Sequence, residues 1–272
     1  MDFKNKVVVI TGASSGIGKA CAYDLASKGA DLVLAARQLE VIEEIAIDLN
    51  AKFNVQVIAV KTDVSKEEDC IKLMETTVSK FGRIDVLLNN AGISMRSLFS
   101  NVDLTVLKQL MDVNFWGTVY CTKYAYPEIL KSKGTIVGVS SIAGYRGLPG
   151  RTGYSASKFA MNGFMESIRT ELLPLGVNVL VVCPGFTTSN IRVAALSDTT
   201  AAHGETSMDE GKMMTAEEVA SRISQGIKDR KRTLIMTGQG KLTVWLNKLL
   251  PKLTDKLVYN HFTKEKNALI KP

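Results

Sequence analysis

The chain has 272 residues, 46% of them hydrophobic and 22% charged, with a formal net charge of +7 at pH 7. That balance suits a globular domain with a sizeable core and excludes a mainly disordered chain; no apolar run reaches the roughly 18–20 residues of a membrane-spanning helix. The charge is uneven: residues 226–272 hold 11 Lys and Arg against 3 Asp and Glu, whereas residues 1–225 are close to neutral, which argues against a nucleic-acid-binding fold.

In chain order, a β-branched run at Val7–Ile10 predicts a buried strand, ending at a Gly/Ser turn before a helix over Lys19–Lys28. Asp31–Ala36 is the next strand, Leu39–Asn50 the next helix and Val55–Val60 a third strand. Ser65-Lys66-Glu67-Glu68 then reads as a helix cap. Further strands fall at Asp85–Leu88, Thr135–Val139, Asn178–Val182 and Thr233–Met236, with a helix start at Thr215-Ala216-Glu217-Glu218. Continuous apolar strands alternating with helices imply a doubly wound α/β fold, a parallel sheet covered on both faces. The stretch 186–214 breaks the alternation, and its length and irregularity predict a lid over a ligand. The chain is expected to form one catalytic domain over 1–239 with a C-terminal extension over 240–272.

Thr11-Gly12-Ala13-Ser14-Ser15-Gly16-Ile17-Gly18 directly follows the first strand and opens a helix. Its G-x-x-x-G-x-G spacing is a variant of the dinucleotide fingerprint: glycines permit a tight turn and close backbone approach, and the helix N-terminus faces a pyrophosphate. At the end of the second strand stands Ala35-Ala36-Arg37, with no carboxylate until Glu40. A carboxylate there would bond a ribose 2′-hydroxyl, whereas the Arg37 fork suits a 2′-phosphate, so NADP(H) is favoured over NAD(H).

Four scattered cysteines without C-x-x-C, and only His203 and His261, leave little for a disulfide scaffold, a metal site or a histidine-based hydrolase. Tyr154 and Lys158 stand one helical turn apart instead. A phenol with a pKa of about 10 is a poor acid–base group at neutral pH, and a neighbouring ammonium lowers it. Together with Asn89-Asn90-Ala91-Gly92, Asn114, Ser140-Ser141 and the glycine turn, this ensemble resembles the short-chain dehydrogenase/reductase family over about residues 5–236.

The resemblance implies a Rossmann-type fold and an NADP(H)-dependent oxidoreductase that interconverts a carbonyl and an alcohol. In it Tyr154 is the general acid/base, Lys158 holds the nicotinamide ribose and supports the phenol, Ser141 bonds the substrate oxygen, and Asn114 holds a proton-relay water. It implies cofactor contacts at Gly12, Ser14, Ser15, Gly16, Ile17, Gly18, Arg37, Asp63, Val64, Asn90, Ala91, Tyr154, Lys158, Pro184, Gly185, Thr187 and Ser189, the last standing where threonine is commoner. It also implies a homodimer or homotetramer. The alternative is a nucleotide-sensing binding protein of the same fold, which needs neither Tyr154 nor Lys158.

For the substrate, Ser141, Tyr154, Met95, Tyr145 and Phe186 are candidate contacts, and apolar residues near them suit a hydrophobic, lipid-like carbonyl compound. In the extension, Leu242, Trp245, Leu246, Leu249, Leu250, Leu253 and Leu257 fall at helical spacing among lysines, with Pro251 expected to kink or restart the helix. That pattern fits peripheral membrane contact as well as packing on the protein itself. With no signal-peptide pattern ahead of the first strand, the expected location is cytoplasmic.

Overall fold

The computed structural model describes residues 2–185, 187, 191, 194–201, 213–264 and 268–270. Seven strands, β1 (Val7–Thr11), β2 (Asp31–Ala36), β3 (Val57–Lys61), β4 (Val86–Asn89), β5 (Thr135–Val139), β6 (Asn178–Cys183) and β7 (Thr233–Ile235), form one sheet in the order β3-β2-β1-β4-β5-β6-β7. Every pairing is parallel.

Because side chains alternate along a strand, β1 sends Val8 and Ile10 to one face and Val9 to the other. The first face packs against α1 (Gly16–Ala26), α2 (Leu39–Lys52) and α7 (Ala216–Lys228) through Cys21, Leu25, Ile42, Leu49, Ile223 and Ile227. The second packs against α3 (Glu67–Phe81), α5 (Gly117–Ser132) and α6 (Thr152–Leu172) through Leu73, Cys121, Ile129, Met161 and Met165. Burial on both faces explains why these strands read as unbroken apolar runs rather than alternating ones.

At the N-terminal edge, the buried Asp85 carboxylate accepts from the Val7 amide at 3.0 Å and pairs with Arg83 at 2.7 Å and Lys6 at 3.2 Å. Burial alone would raise its pKa, but these partners hold it below the usual carboxylate range. This contact ties the starts of β1 and β4, the central pair between which the strand order reverses. In such sheets ligands bind at the opposite, carboxyl edge of that switch point.

The cap expected at Ser65 does not form. Its hydroxyl bonds Asp63 Oδ1 at 2.7 Å instead, and α3 starts after Lys66 with no side-chain cap. The hydroxyl donates to the nearby Asp63 carboxylate rather than placing its oxygen to accept from the orphan helix amides. At Thr215 the expected cap does form, the threonine hydroxyl and Glu218 bonding each other's backbone amides reciprocally at 3.1 Å. In the extension, Pro251 restarts the chain as a second helix: α8 (Gly238–Leu249) is followed by α9 (Pro251–Phe262).

Candidate active site

A continuous cleft of about 460 Å³ runs along the carboxyl edge of the sheet. One end is the glycine turn. Gly12 and Gly16 have φ of +66° and +53°, the left-handed region that glycine enters without strain. A Cβ on Gly12 would come 2.8 Å from Ala91 Cα, so the turn packs directly against the end of β4. Asn90 locks this junction, its side-chain amide donating to the carbonyls of Thr11 at 2.9 Å and Gly12 at 3.2 Å, while the Thr11 hydroxyl accepts from the amides of Asn90 and Ala91.

Helix α1 starts here with no side-chain cap at Ser15, so its first-turn amides face the cleft. A glycine cradle with open amides at a helix N-terminus fits a pyrophosphate. Ser14, Ser15 and Ile17 line the same end with Gly12 and Gly16, and buried Gly18 lets the helix sit against the turn. Arg37, exposed after β2, lies on the rim with Gln38, and Asp63 and Val64 complete that end. These residues therefore fit a dinucleotide.

The other end gathers the acid–base groups. Ser141 follows β5, its oxygen accepting from the Ala143 amide at 3.2 Å, and its hydroxyl meets the Tyr154 phenol. Tyr154 sits in the first turn of α6 and Lys158 in the second, so both project from one face. Lys158 Nζ lies 5.8 Å from the Tyr154 ring centroid and donates to the Val139 carbonyl at 2.8 Å. Burial pushes the Lys158 ammonium down to about 8, partly offset by the Cys183 thiol. Burial pushes the Tyr154 phenol above its ordinary value, opposed by the Ser141 hydroxyl and the Arg151 guanidinium. At neutral pH the phenol therefore holds its proton beside a cation, the state of a proton donor.

Asn114 is buried in a single π turn, Asp112–Trp116, between α4 (Leu104–Met111) and α5. Its side-chain oxygen accepts from the Ile93 amide at 2.8 Å, and its amide donates to the Ile93 carbonyl at 3.0 Å and the Ser157 hydroxyl at 2.9 Å. The side chain thus joins the loop after β4 to α6. The Asn114 main-chain carbonyl accepts from the Thr118 hydroxyl at 2.9 Å.

Pro184, Gly185 and Thr187 line the cleft after β6, whereas Ser189 lies outside the described residues. Cys183, just before them, is buried with its thiol pushed up to about 12, so it is inert as a nucleophile.

Two expected substrate contacts face elsewhere. Met95 is fully buried in a separate cluster with Val102, Val106, Leu110 and Leu196, behind the Tyr154 ring. Tyr145 packs into the core beside α6 with its hydroxyl on Thr233, and burial raises it to about 12. Both apolar bodies are used for packing, a choice that spacing alone does not reveal. Phe186 lies outside the described residues. The described wall near Tyr154 is instead Ile93, Ser94, Leu148, Arg151, Ile191 and Phe262. Arg151 bonds the Ser94 hydroxyl at 3.3 Å and stands three residues before Tyr154, a spacing that could have flagged it. Phe262 reaches the cleft from α9, and no local motif announces it. Among the described residues of 186–214, Leu196 bridges Met95 and Thr187 bridges Met214.

The short chain dehydrogenase family model matches residues 6–200. This chain belongs to the short-chain dehydrogenase/reductase family. Among its relatives, an 11-beta-hydroxysteroid dehydrogenase A of Sesamum indicum is 44% identical over 191 residues, covering 70% of this chain and 55% of that protein. The chain thus spans about half the length of that relative. An 11-beta-hydroxysteroid dehydrogenase-like 4A of Arabidopsis thaliana is 36% identical over 253 residues, covering 91% of this chain and 82% of that protein. A solved short-chain dehydrogenase/reductase of Burkholderia phymatum, in complex with NAD, aligns with TM-score 0.82 at 26% identity over 93% of this chain and 96% of its own. An alcohol dehydrogenase of Thermococcus sibiricus, complexed with 5-hydroxy-NADP, aligns with TM-score 0.76 at 26% identity over 85% and 95%. The seven-stranded parallel sheet and its flanking helices are thus the Rossmann-type fold of this family.

Proposed function

We propose that this chain is an NADP(H)-dependent oxidoreductase that interconverts a ketone and an alcohol on a hydrophobic, steroid-like substrate. The observation that carries this reading is the convergence of Tyr154, Ser141 and Lys158 at one end of a cleft whose other end is a phosphate cradle. A bound nicotinamide supplies or accepts the hydride. Tyr154 gives its proton to the carbonyl oxygen during reduction, and Ser141 bonds that oxygen as charge develops on it. Lys158 keeps a positive charge beside the phenol, and after each turnover it passes a proton to the Tyr154 phenolate and is itself reprotonated from solvent through the water held at Asn114.

Arg37 is the residue to hold a 2′-phosphate, with no carboxylate beside it to bond a ribose hydroxyl instead. Asp63 and Val64 take the adenine, Asn90 and Ala91 the adjoining ribose, and Pro184, Gly185 and Thr187 the nicotinamide. Ile93, Leu148, Ile191 and Phe262 offer an apolar wall, and the hydroxysteroid names of the relatives point to the same substrate class. Residues 1–239 form the catalytic unit under a lid over 186–214, with 240–272 as an extension. Ala156, Phe159 and Trp116, exposed on α6 and the neighbouring π turn, offer a face for a homodimer or homotetramer, a state that light scattering reads.

The test is NADPH consumption with a panel of oxo-steroids and small water-soluble ketones. The expected result is turnover of the oxo-steroids at a kcat/KM at least tenfold above the small ketones, since each buried methylene adds on the order of 0.8 kcal/mol. Equal or better turnover of the small ketones contradicts the hydrophobic substrate.

A further inference from the structure

The extension has two contrasting faces. Its inner face is pinned to the segment that follows Ser141. Arg146 bonds Asn247 at 3.1 Å and pairs with Asp255 at 2.7 Å, the Asn247 amide donates to the Tyr145 carbonyl at 3.0 Å, and Gly240 sits tightly against Ile142. Thr254 is buried, and Phe262 turns into the cleft from the same helix.

The outer face is apolar and open. Leu242, Trp245 and Leu249 recur at i, i+3 and i+7 on α8, Leu253 and Leu257 at i and i+4 on α9, and Leu250 sits at the elbow between them; all six are 45–59% exposed. Exposed Lys241, Lys248, Lys252 and Lys256 flank this ridge. The two helices carry a single acidic residue, Asp255, and it is committed to Arg146.

We propose that this outer face docks on an anionic lipid surface. The chemistry matches at two levels: leucines and a tryptophan enter the headgroup–acyl boundary, and the lysines meet acidic headgroups. A second copy of the chain is a poor occupant, because a self-complementary contact across this face would set the lysines of α8 and α9 against one another, and the one carboxylate these two helices carry, Asp255, is engaged by Arg146. Helix α9 joins the two sites, presenting Leu253 and Leu257 outward and Phe262 to the cleft. Docking therefore sets the cleft beside the source of a lipophilic substrate, a consequence that rests on the proposed function, whereas docking itself does not.

The experiment uses the full chain with vesicles of phosphatidylcholine alone and of phosphatidylcholine with one-third phosphatidylserine. Sedimentation is read together with Trp245 emission in a Trp116→Phe background, and NADPH affinity is measured on the same samples. The expected result is binding to the phosphatidylserine vesicles with a blue shift of Trp245, weakened by salt. Affinity should fall at least tenfold in Lys248→Gln/Lys252→Gln/Lys256→Gln, since each basic residue at such a surface contributes about fivefold. It should fall by a similar factor in Leu249→Ser/Leu253→Ser, with NADPH affinity unchanged in both variants because these side chains face outward.

No sedimentation with either vesicle overturns the proposal, and so does equal binding to both. A native oligomer that Leu249→Ser/Leu253→Ser splits by light scattering, without vesicle binding, assigns the face to a second copy and overturns it too. Vesicle binding by a chain that fails to bind NADPH upholds docking and removes the proposed function instead.

Discussion

Tyr154→Phe is expected to lower turnover by about 10³-fold while leaving NADPH affinity within a factor of about two. The substitution keeps the ring, which packs beside Ile93 and Leu107 against the Met95 cluster, and removes only the hydroxyl that meets Ser141. The fold and the phosphate cradle are untouched, so the loss falls on kcat. The pH dependence follows from the same geometry. In the reductive direction the protonated phenol is the active form, and burial raises its pKa, so Tyr154 itself stays competent well into the alkaline range. The limiting group is Lys158, held at about 8 by burial; the reductive rate should fall as pH rises through that value and the ammonium is lost. Steady-state rates between pH 6 and 9, read beside direct NADPH titrations, check both statements. A Tyr154→Phe chain retaining more than about a tenth of native turnover rules out this phenol as the proton donor.

Gly18→Ala should cost the protein both its cofactor and much of its stability. The added methyl would collide with the Gly12 carbonyl oxygen and come 2.5 Å from Asn90 Nδ2, the group that ties the glycine turn to the end of β4. Neither neighbour can withdraw, because one is backbone and the other already bonds two carbonyls. We expect NADPH affinity to fall at least 100-fold and unfolding free energy to drop by about 3 kcal/mol, read by calorimetric titration and urea denaturation. Gly163→Ala is the control. It sits exposed in α6 with nothing within 4 Å of the added Cβ, and should stabilise the protein by about 0.5–1 kcal/mol. Native-like NADPH binding by Gly18→Ala would show that the turn does not need this close approach.

The strands and the acid–base end were legible because both rest on local chemistry. Val7–Ile10 and Asn178–Val182 read as apolar runs because the sheet buries both faces, and Tyr154 and Lys158 share a face because one helical turn separates them. The bonds that Asn114 makes were not legible, since its side chain is spent on Ile93 and Ser157, partners 21 and 43 residues away. Met95 and Tyr145 turn to the core for a reason that spacing does not carry: a side chain close to a motif in sequence can face either the cleft or the interior. Phe262 was out of reach, since only the fold-back of α9 brings it to the cleft, more than a hundred residues after Tyr154. The Ser65 cap does not form because its hydroxyl turns to the Asp63 carboxylate, a local choice that a motif does not encode.

The measurement that bears most directly on the whole account is titration of the purified chain with NADPH and with NADH, repeated on Arg37→Ala. The predicted result is NADPH binding at least tenfold tighter than NADH, with Arg37→Ala removing that preference and leaving NADH affinity unchanged, as expected for a charge-assisted fork on a 2′-phosphate. Equal binding of the two nucleotides would make Arg37 a solvated surface charge, and binding of neither would contradict the reading of this cleft as a nucleotide site.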